Sequence, residues 1–454
     1  MRKFDQKCRF WLLMLAIIYR FLLRIIYIYS FYPTYKYLGF DYKVDHILEI
    51  TSFALFIIFT VLLHRSHKPR NELSDYLIWS LYLISFIPFS VMCSCGAFDI
   101  KFVIANHVYW LFIIIFNRLF SKLKIKKLPY FTADGIEISD KLIGLVGIIS
   151  LLINLFISYH YVGFRIVLDL FDVYSLREEV SSAQIPTLLY YAFCWMRTIG
   201  VLLLAVSLLN HKRVLTIIYT INMLISFSVD GMKTTLFSAL ITVVLYFIVY
   251  KWKHKSRLIL KTMYLGFIGI SLLSIVENLV IKSKMVLAFI FFRVEFLVVQ
   301  IGSWFFDFFT KNEPDYFRAS FLRHFGAVSP YKKYGINYLI SGIYGGDYHS
   351  EANNGLISDA MTNFGIIGIL IMPMILMLVF RVFDYCSQGL DEYLVIVFGV
   401  YISLLLTNGF LLTSLMTNGL LILMFVLLFV KRNEKVKTVS RMKKDDIIAS
   451  ITQC

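Results

Sequence analysis

Residues 279 to 355 concentrate the chain's chemically capable side chains: Arg293, Arg318, Arg323, His324, Lys332, Lys333, His349 and Glu351. They alternate with Trp304, Phe308, Tyr316, Phe321, Phe325, Tyr331, Tyr334, Tyr338, Tyr344 and Tyr348. A guanidinium grips phosphate oxygens through two parallel hydrogen bonds and stays charged when partly stripped of water. Aromatic rings offer flat faces on which a pyranose can stack. Arginine among aromatics therefore suits a ligand that is part sugar and part phosphate, and His349 or Glu351 has the chemistry to take a proton from a hydroxyl. Taken singly, each ring also reads as part of an aromatic belt at a membrane surface.

A shorter stretch, 161 to 186, adds Arg165, Arg177, Glu178 and Glu179 beside an apolar face. It reads as an interfacial amphipathic helix with snorkelling arginines, a role that leaves Arg177 available to a ligand. Arg177, Arg293, Arg318 and Arg323 fall in stretches where the positive-inside tendency gives no reason for them.

What positions these residues is membrane. Of 454 residues 59% are hydrophobic and only 16% charged, mean hydropathy is +0.73, and there are 42 Phe, which excludes an ordinary soluble domain. The expectation is an all-α polytopic protein forming one transmembrane domain over residues 1–454, with roughly twelve spans. They are placed at 10–32, 46–63, 76–94, 101–120, 141–160, 187–209, 213–229, 231–250, 258–278, 356–380, 392–409 and 412–430. Lys and Arg gather at the N-terminus, near 65–70, 122–127 and 251–257, and in the basic tail 431–454. With an even number of spans all of these share one side, so both termini are expected in the cytoplasm, with 161–186 and 279–355 as loops on the opposite face. The net charge of +16 is then explained by anionic lipid and gives no support to nucleic-acid binding. The first apolar stretch carries Arg20 and Arg24 and no small-residue cleavage site, so it reads as a span and not a cleaved signal.

Residues 285–301 are apolar enough to pass for another span, but Arg293 and Glu295 stand in the middle. Each charge at bilayer centre costs about 2.5 to 3.5 kcal/mol. The segment is therefore expected to dip into, or lie on, the outer face. Within the spans, Arg20 and Arg24 share one helix face and Glu49 is placed to neutralise Arg24. Arg197, mid-span, reads either as a structural ion-pair partner or as a residue that a diphosphate headgroup reaches. Asn106, His107, Asn154 and Asn222 read as interhelical hydrogen-bond glue. The six cysteines indicate neither a disulfide framework nor a zinc site. No outward D-x-D pair is present, and Asp169 with Asp172 is a weak match, so no metal or other cofactor is expected.

About a dozen spans, the outward LREE with Arg177, the large late loop, and the helix entry HSEANNGLISDAMTNFGIIG at 349–368 together carry a resemblance. The layout resembles the O-antigen polymerases, the Wzy-type oligosaccharide repeat-unit polymerases of bacterial inner membranes. Where many relatives have a Glu before the FG-x-x-G segment, this chain has Asp359.

The resemblance implies a membrane C-type glycosyltransferase. A growing glycan on undecaprenyl diphosphate would move onto a hydroxyl of an incoming lipid-linked repeat, leaving the lipid diphosphate. Arg177 and Arg293, with Arg318 or Arg323 as further members, would stabilise that leaving group. The base would be His349, Glu351 or Asp359, with His324 behind them and Arg197 as a secondary diphosphate contact. Asn353, Asn354 and Gly355 also read as turn and cap residues, and Asp359 as a buried hydrogen-bond partner. The implied partners are membrane lipid and the pathway's flippase and chain-length regulator. Two other readings stand beside this one: an O-antigen ligase transferring glycan to a lipid A core, with His324 or His349 on the acceptor side, and a lipid-linked oligosaccharide flippase. The long loop counts against the flippase, since transporters favour paired halves and short loops.

Overall fold

The computed structural model describes residues 2–66, 72–123, 136–164, 176, 180, 182–251 and 256–432, and among these all regular structure is helical. Eleven helices are long and apolar enough to cross a membrane. They are α1 (Arg9–Leu38), α2 (His46–Ser66), α3 (Leu73–Ser94), α4 (Ile100–Phe120), α5 (Asp140–Tyr161), α6 (Thr187–Leu209), α7 (Arg213–Asp230), α8 (Lys233–Tyr250), α9 (Ile259–Ile281), α10 (Leu287–Lys311) and, after the short α11 (Ile336–Gly345), α12 (Ile357–Cys386). The chain continues with the 17-residue apolar α13 (Glu392–Asn408), then α14 (Leu411–Met416) and α15 (Leu420–Leu427). This is a polytopic membrane protein.

Helix patterning is inverted relative to a soluble bundle. On α5, Leu145, Ile148, Leu152 and Phe156 recur at helical spacing and are all more than half exposed, whereas Ser150, Asn154 and Ser158 on the other face are buried. Lipid is the apolar solvent for the first face, and hydrogen bonds hold the second to its neighbour. Asn154 Nδ2 donates to Asn222 Oδ1 on α7 at 2.9 Å, and Asn222 Nδ2 donates to Ser150 Oγ at 3.1 Å. The expected glue between these helices is therefore present. The expected Arg24–Glu49 pair forms too, at 2.9 Å between α1 and α2. Close approach matters most between α3 and α13: a Cβ on Gly399 would stand 2.6 Å from Tyr76 Cβ, so only glycine allows these two helices to touch.

Two ends of the bundle are fixed by buried polar contacts. At one, which also receives the start of α1 and residue 432 and is here called the tail end, Asp384 on α12 accepts from Ser74 N and Oγ at 2.8 Å each. There Arg381 pairs with Asp384 at 2.8 Å and Glu72 at 2.9 Å and donates to Leu123 O, while Arg432 donates to Cys386 O. At the opposite, cap end, Lys43 N donates to Cys95 O and Gly355 N to Thr407 O.

α10 is long enough to cross, yet its contacts run otherwise. The chain turns sharply after α9, and the Glu277 carboxylate accepts the N–H groups of Met285 and Val286 at 2.8 and 2.9 Å. Lys284 then donates to Thr34 near the cap end of α1. Phe292 stacks on Tyr35 at 4.3 Å, Phe296 packs on Phe31 at 4.5 Å, and Gln300 donates to Gly39 O at 3.3 Å. Further along, Phe306 meets Phe102 at the start of α4. Both ends of α10 thus meet the cap end, and the helix runs across that end of the bundle. The stretch 279–355 is accordingly a transverse helix followed by a cap, 312–356. Besides α10, ten of the eleven helices long enough to cross remain among the described residues, followed by the shorter apolar α13 and the α14–α15 pair. The last pass departs from the expected continuous helix at 412–430: Thr417–Gly419 break it, and the broken backbone is satisfied by α6, where Trp195 Nε1 donates to Met416 O and Thr198 Oγ1 to Asn418 O.

Candidate functional site

The cap is a self-braced unit. Asp315, buried, accepts from Ala319 N at 2.7 Å and from Ser329 Oγ at 2.5 Å, and its own N–H donates to Thr362 O at 2.6 Å. Tyr344 on α11 stacks on Trp304 at 6.0 Å and donates to Asp307 at 2.6 Å, while Tyr331 packs on Phe308 and Phe309. These rings, expected as ligand-stacking or belt residues, seat the cap on α10.

The arginines divide. Arg318 pairs with Glu313 at 2.8 Å and donates to the carbonyls of Asp315 and Pro314, so its guanidinium shapes the turn it belongs to. The two residues before it, Tyr316 and Phe317, hold left-handed backbone with φ of 50° and 63°, a costly conformation for side chains of this size. Arg323 is exposed. Arg293 is exposed on α10, with its guanidinium 5.5 Å from the Phe292 ring centroid. Arg177 and the side chain of His324 lie outside the described residues. Arg197 is buried and ion-paired with Asp230.

His349 and Glu351 are exposed on the loop leading into α12, and Glu351 accepts from Asn353 at 2.6 Å. The N–H of His349 donates to Asp347 Oδ1 at 2.8 Å and, with the Ser350 hydroxyl, holds that carboxyl below its ordinary range. An ionised Asp347 therefore stands beside the imidazole. Asp359, by contrast, is 2% exposed, and its oxygens accept from Leu411 N at 2.6 Å and Asn363 Nδ2 at 2.7 Å. Its neighbours are thus a backbone amide and an amide side chain. Asn354 is a brace of the same kind, donating to Val298 O and Ser358 Oγ.

A further corner went unread in the sequence: Asp230-Gly-Met-Lys-Thr-Thr235, the turn from α7 into α8. Gly231 turns the chain at φ 63°, and Asp230 Oδ1 accepts from Met232 N at 3.0 Å. No side chain caps α8, and its first turn carries Lys233, Thr234 and Thr235. Thr235 is buried with no hydrogen-bond partner for its hydroxyl. Asp230 and Arg197 cancel each other's charge. What remains is the positive end of a helix dipole with a lysine on it, an arrangement suited to an anion such as phosphate. The Lys233 ammonium lies 4.6 Å from the ring centroid of Phe289 on α10, and Arg293 follows Phe289 by four residues on that same helix. The signal available in the sequence was an acid-glycine turn followed by Lys-Thr-Thr opening an apolar helix; it was hidden because residue 230 fell between two spans.

No protein-family model, curated protein or solved structure matches this chain. What fold and site define is the class: an all-helical, polytopic membrane protein with a polar cap over one end.

Proposed function

We propose that the protein polymerises lipid-linked oligosaccharide repeat units at the outer face of a bacterial inner membrane. The observation that carries this reading is the cationic corner, where Lys233 at the open N-terminus of α8 faces the helix bearing Arg293. Two cations on adjoining elements suit the two phosphates of a diphosphate, and the cap beside them supplies aromatic and polar groups for sugars. In this reading the cap end is periplasmic, both termini and the basic tail are cytoplasmic, and undecaprenyl diphosphate is the carrier. Flippase and chain-length regulator are the pathway partners.

The step balances as a displacement. The acceptor hydroxyl oxygen bonds to the anomeric carbon of the growing glycan as the bond from that carbon to the diphosphate oxygen breaks. The lipid diphosphate leaves with the electron pair, held by Lys233, Arg293 and, from the shorter loop, Arg177. The hydroxyl proton passes to a base in the cap, His349 or Glu351. Losing one donor to the developing charge typically costs about 3 to 4 kcal/mol, a hundred- to thousand-fold in rate. Arg323, one of the exposed cap cations, would hold the acceptor's own diphosphate.

Surface lipopolysaccharide from cells lacking the gene tests the reading. A core carrying a single repeat unit is the expected result. A bare core with accumulated long lipid-linked glycan would make it a ligase, and an unchanged ladder would overturn the proposal. Arg293→Ala and Lys233→Ala are each expected to abolish long chains at normal protein level.

A further inference from the structure

Glu295 is used by none of this chemistry. It lies on the transverse helix α10, fully buried, with one carboxyl oxygen accepting from Tyr19 Oη at 2.9 Å and the other without a partner. The cations in reach by sequence are engaged elsewhere: Arg20 donates to Ser90 at 3.1 Å and Ser52 at 3.2 Å, Arg24 pairs with Glu49, and Arg293 lies exposed over Phe292. The other buried titratable side chains on the middle stretches of the packed elements are Tyr19 and Tyr27 on α1, Tyr82 on α3 and Tyr264 on α9, with Cys93 and Cys95 at the end of α3, and none of them is a cation. A bare carboxylate here would cost several kcal/mol, which one neutral hydrogen bond does not offset.

The backbone around Glu295 is unusual as well. Residues 287–296 form a π-helical stretch, and two more, 27–31 and 82–86, pack against it from α1 and α3. Such stretches sacrifice regular hydrogen bonding and gather at functional sites. Tyr19 in turn packs on Phe267 of α9 at 5.4 Å, and the buried Tyr264 hydroxyl on that helix has no hydrogen-bond partner among the described residues.

We propose that Glu295 is a membrane-buried proton-binding site, its carboxyl held neutral and anchored by the Tyr19 hydroxyl. It is independent of the glycan reading. Its consequence is that the seating of α10, and with it Arg293 two residues away, depends on that proton.

Infrared spectra of the full-length protein in lipid vesicles at neutral pH test this. The expected result is a protonated-carboxyl band that disappears in Glu295→Gln and moves to higher frequency in Tyr19→Phe, which removes the hydrogen bond. A band absent from the wild type, or unchanged in Glu295→Gln, overturns the site.

Discussion

Asp359 has both carboxylate oxygens committed, one to the Leu411 amide and one to the Asn363 side chain, and it is sealed from water. A group so held ties α12 to the turn before α14, whereas a base must meet a substrate hydroxyl. Asp359→Asn is therefore expected to keep most of the glycan ladder, because the amide oxygen still accepts from Leu411, while Asp359→Leu is expected to lose protein from the membrane. His349→Ala is expected to shorten the ladder at unchanged protein level. If Asp359→Asn abolishes long chains at normal expression, Asp359 returns as the base. Residue roles of this kind were legible where chemistry alone decided: Arg24 inside an apolar span had to find an acid, and Glu49 was the one at the matching depth. They were illegible where packing decided. Nothing in the type or spacing of Arg318 announces that it will hold Glu313 and two carbonyls of its own turn, and the pairing of Arg197 with Asp230 required knowing that α6 and α7 are neighbours.

At the level of elements the decisive one is α10. Its apolar composition matches a span, but Arg293 and Glu295 argued against a simple crossing, and the contacts of Lys284 with Thr34 and of Gln300 with Gly39 keep it at the cap end. Hydropathy could not reveal the burial of Glu295, since that depends on Tyr19 reaching across from α1. Cysteines introduced singly at Lys284 and Lys311, both exposed, test the arrangement in a background with Cys8 and Cys454 replaced by Ser. A membrane-impermeant maleimide applied to intact spheroplasts is expected to label both positions. Labelling of one alone would mean that α10 crosses and that the two chain ends lie on opposite sides. The break between α14 and α15 was unreadable for the same kind of reason: its two sides are apolar, and what tolerates the interruption is the Trp195 and Thr198 side chains of a helix more than two hundred residues earlier.

Across the whole molecule, α12 acts as a mast fastened at both ends by a buried aspartate. At the cap end Asp359 holds the approach to α14; at the tail end Asp384 holds the start of α3 through Ser74 and, through Arg381, residues 72 and 123. Lipid surrounds the bundle, so apolar burial between helices gains little over apolar contact with acyl chains, and buried polar ties carry a larger share of the specificity than in a soluble core. Removing Asp384 leaves Arg381 with the partly exposed Glu72 as its acid and leaves Ser74 N and Oγ without their acceptor; breaking a fully buried pair typically costs about 3–5 kcal/mol. Asp384→Ala is accordingly expected to lower the unfolding temperature of the detergent-solubilised protein sharply, and Asp384→Asn less, because the amide oxygen can still accept from Ser74 N. Adding Arg381→Met to Asp384→Ala is expected to restore part of the loss, since the double variant no longer holds a mostly buried guanidinium on the partly exposed Glu72 alone. A double variant no more stable than Asp384→Ala alone would mean that the Ser74 contact, and not the ion pair, fastens the mast.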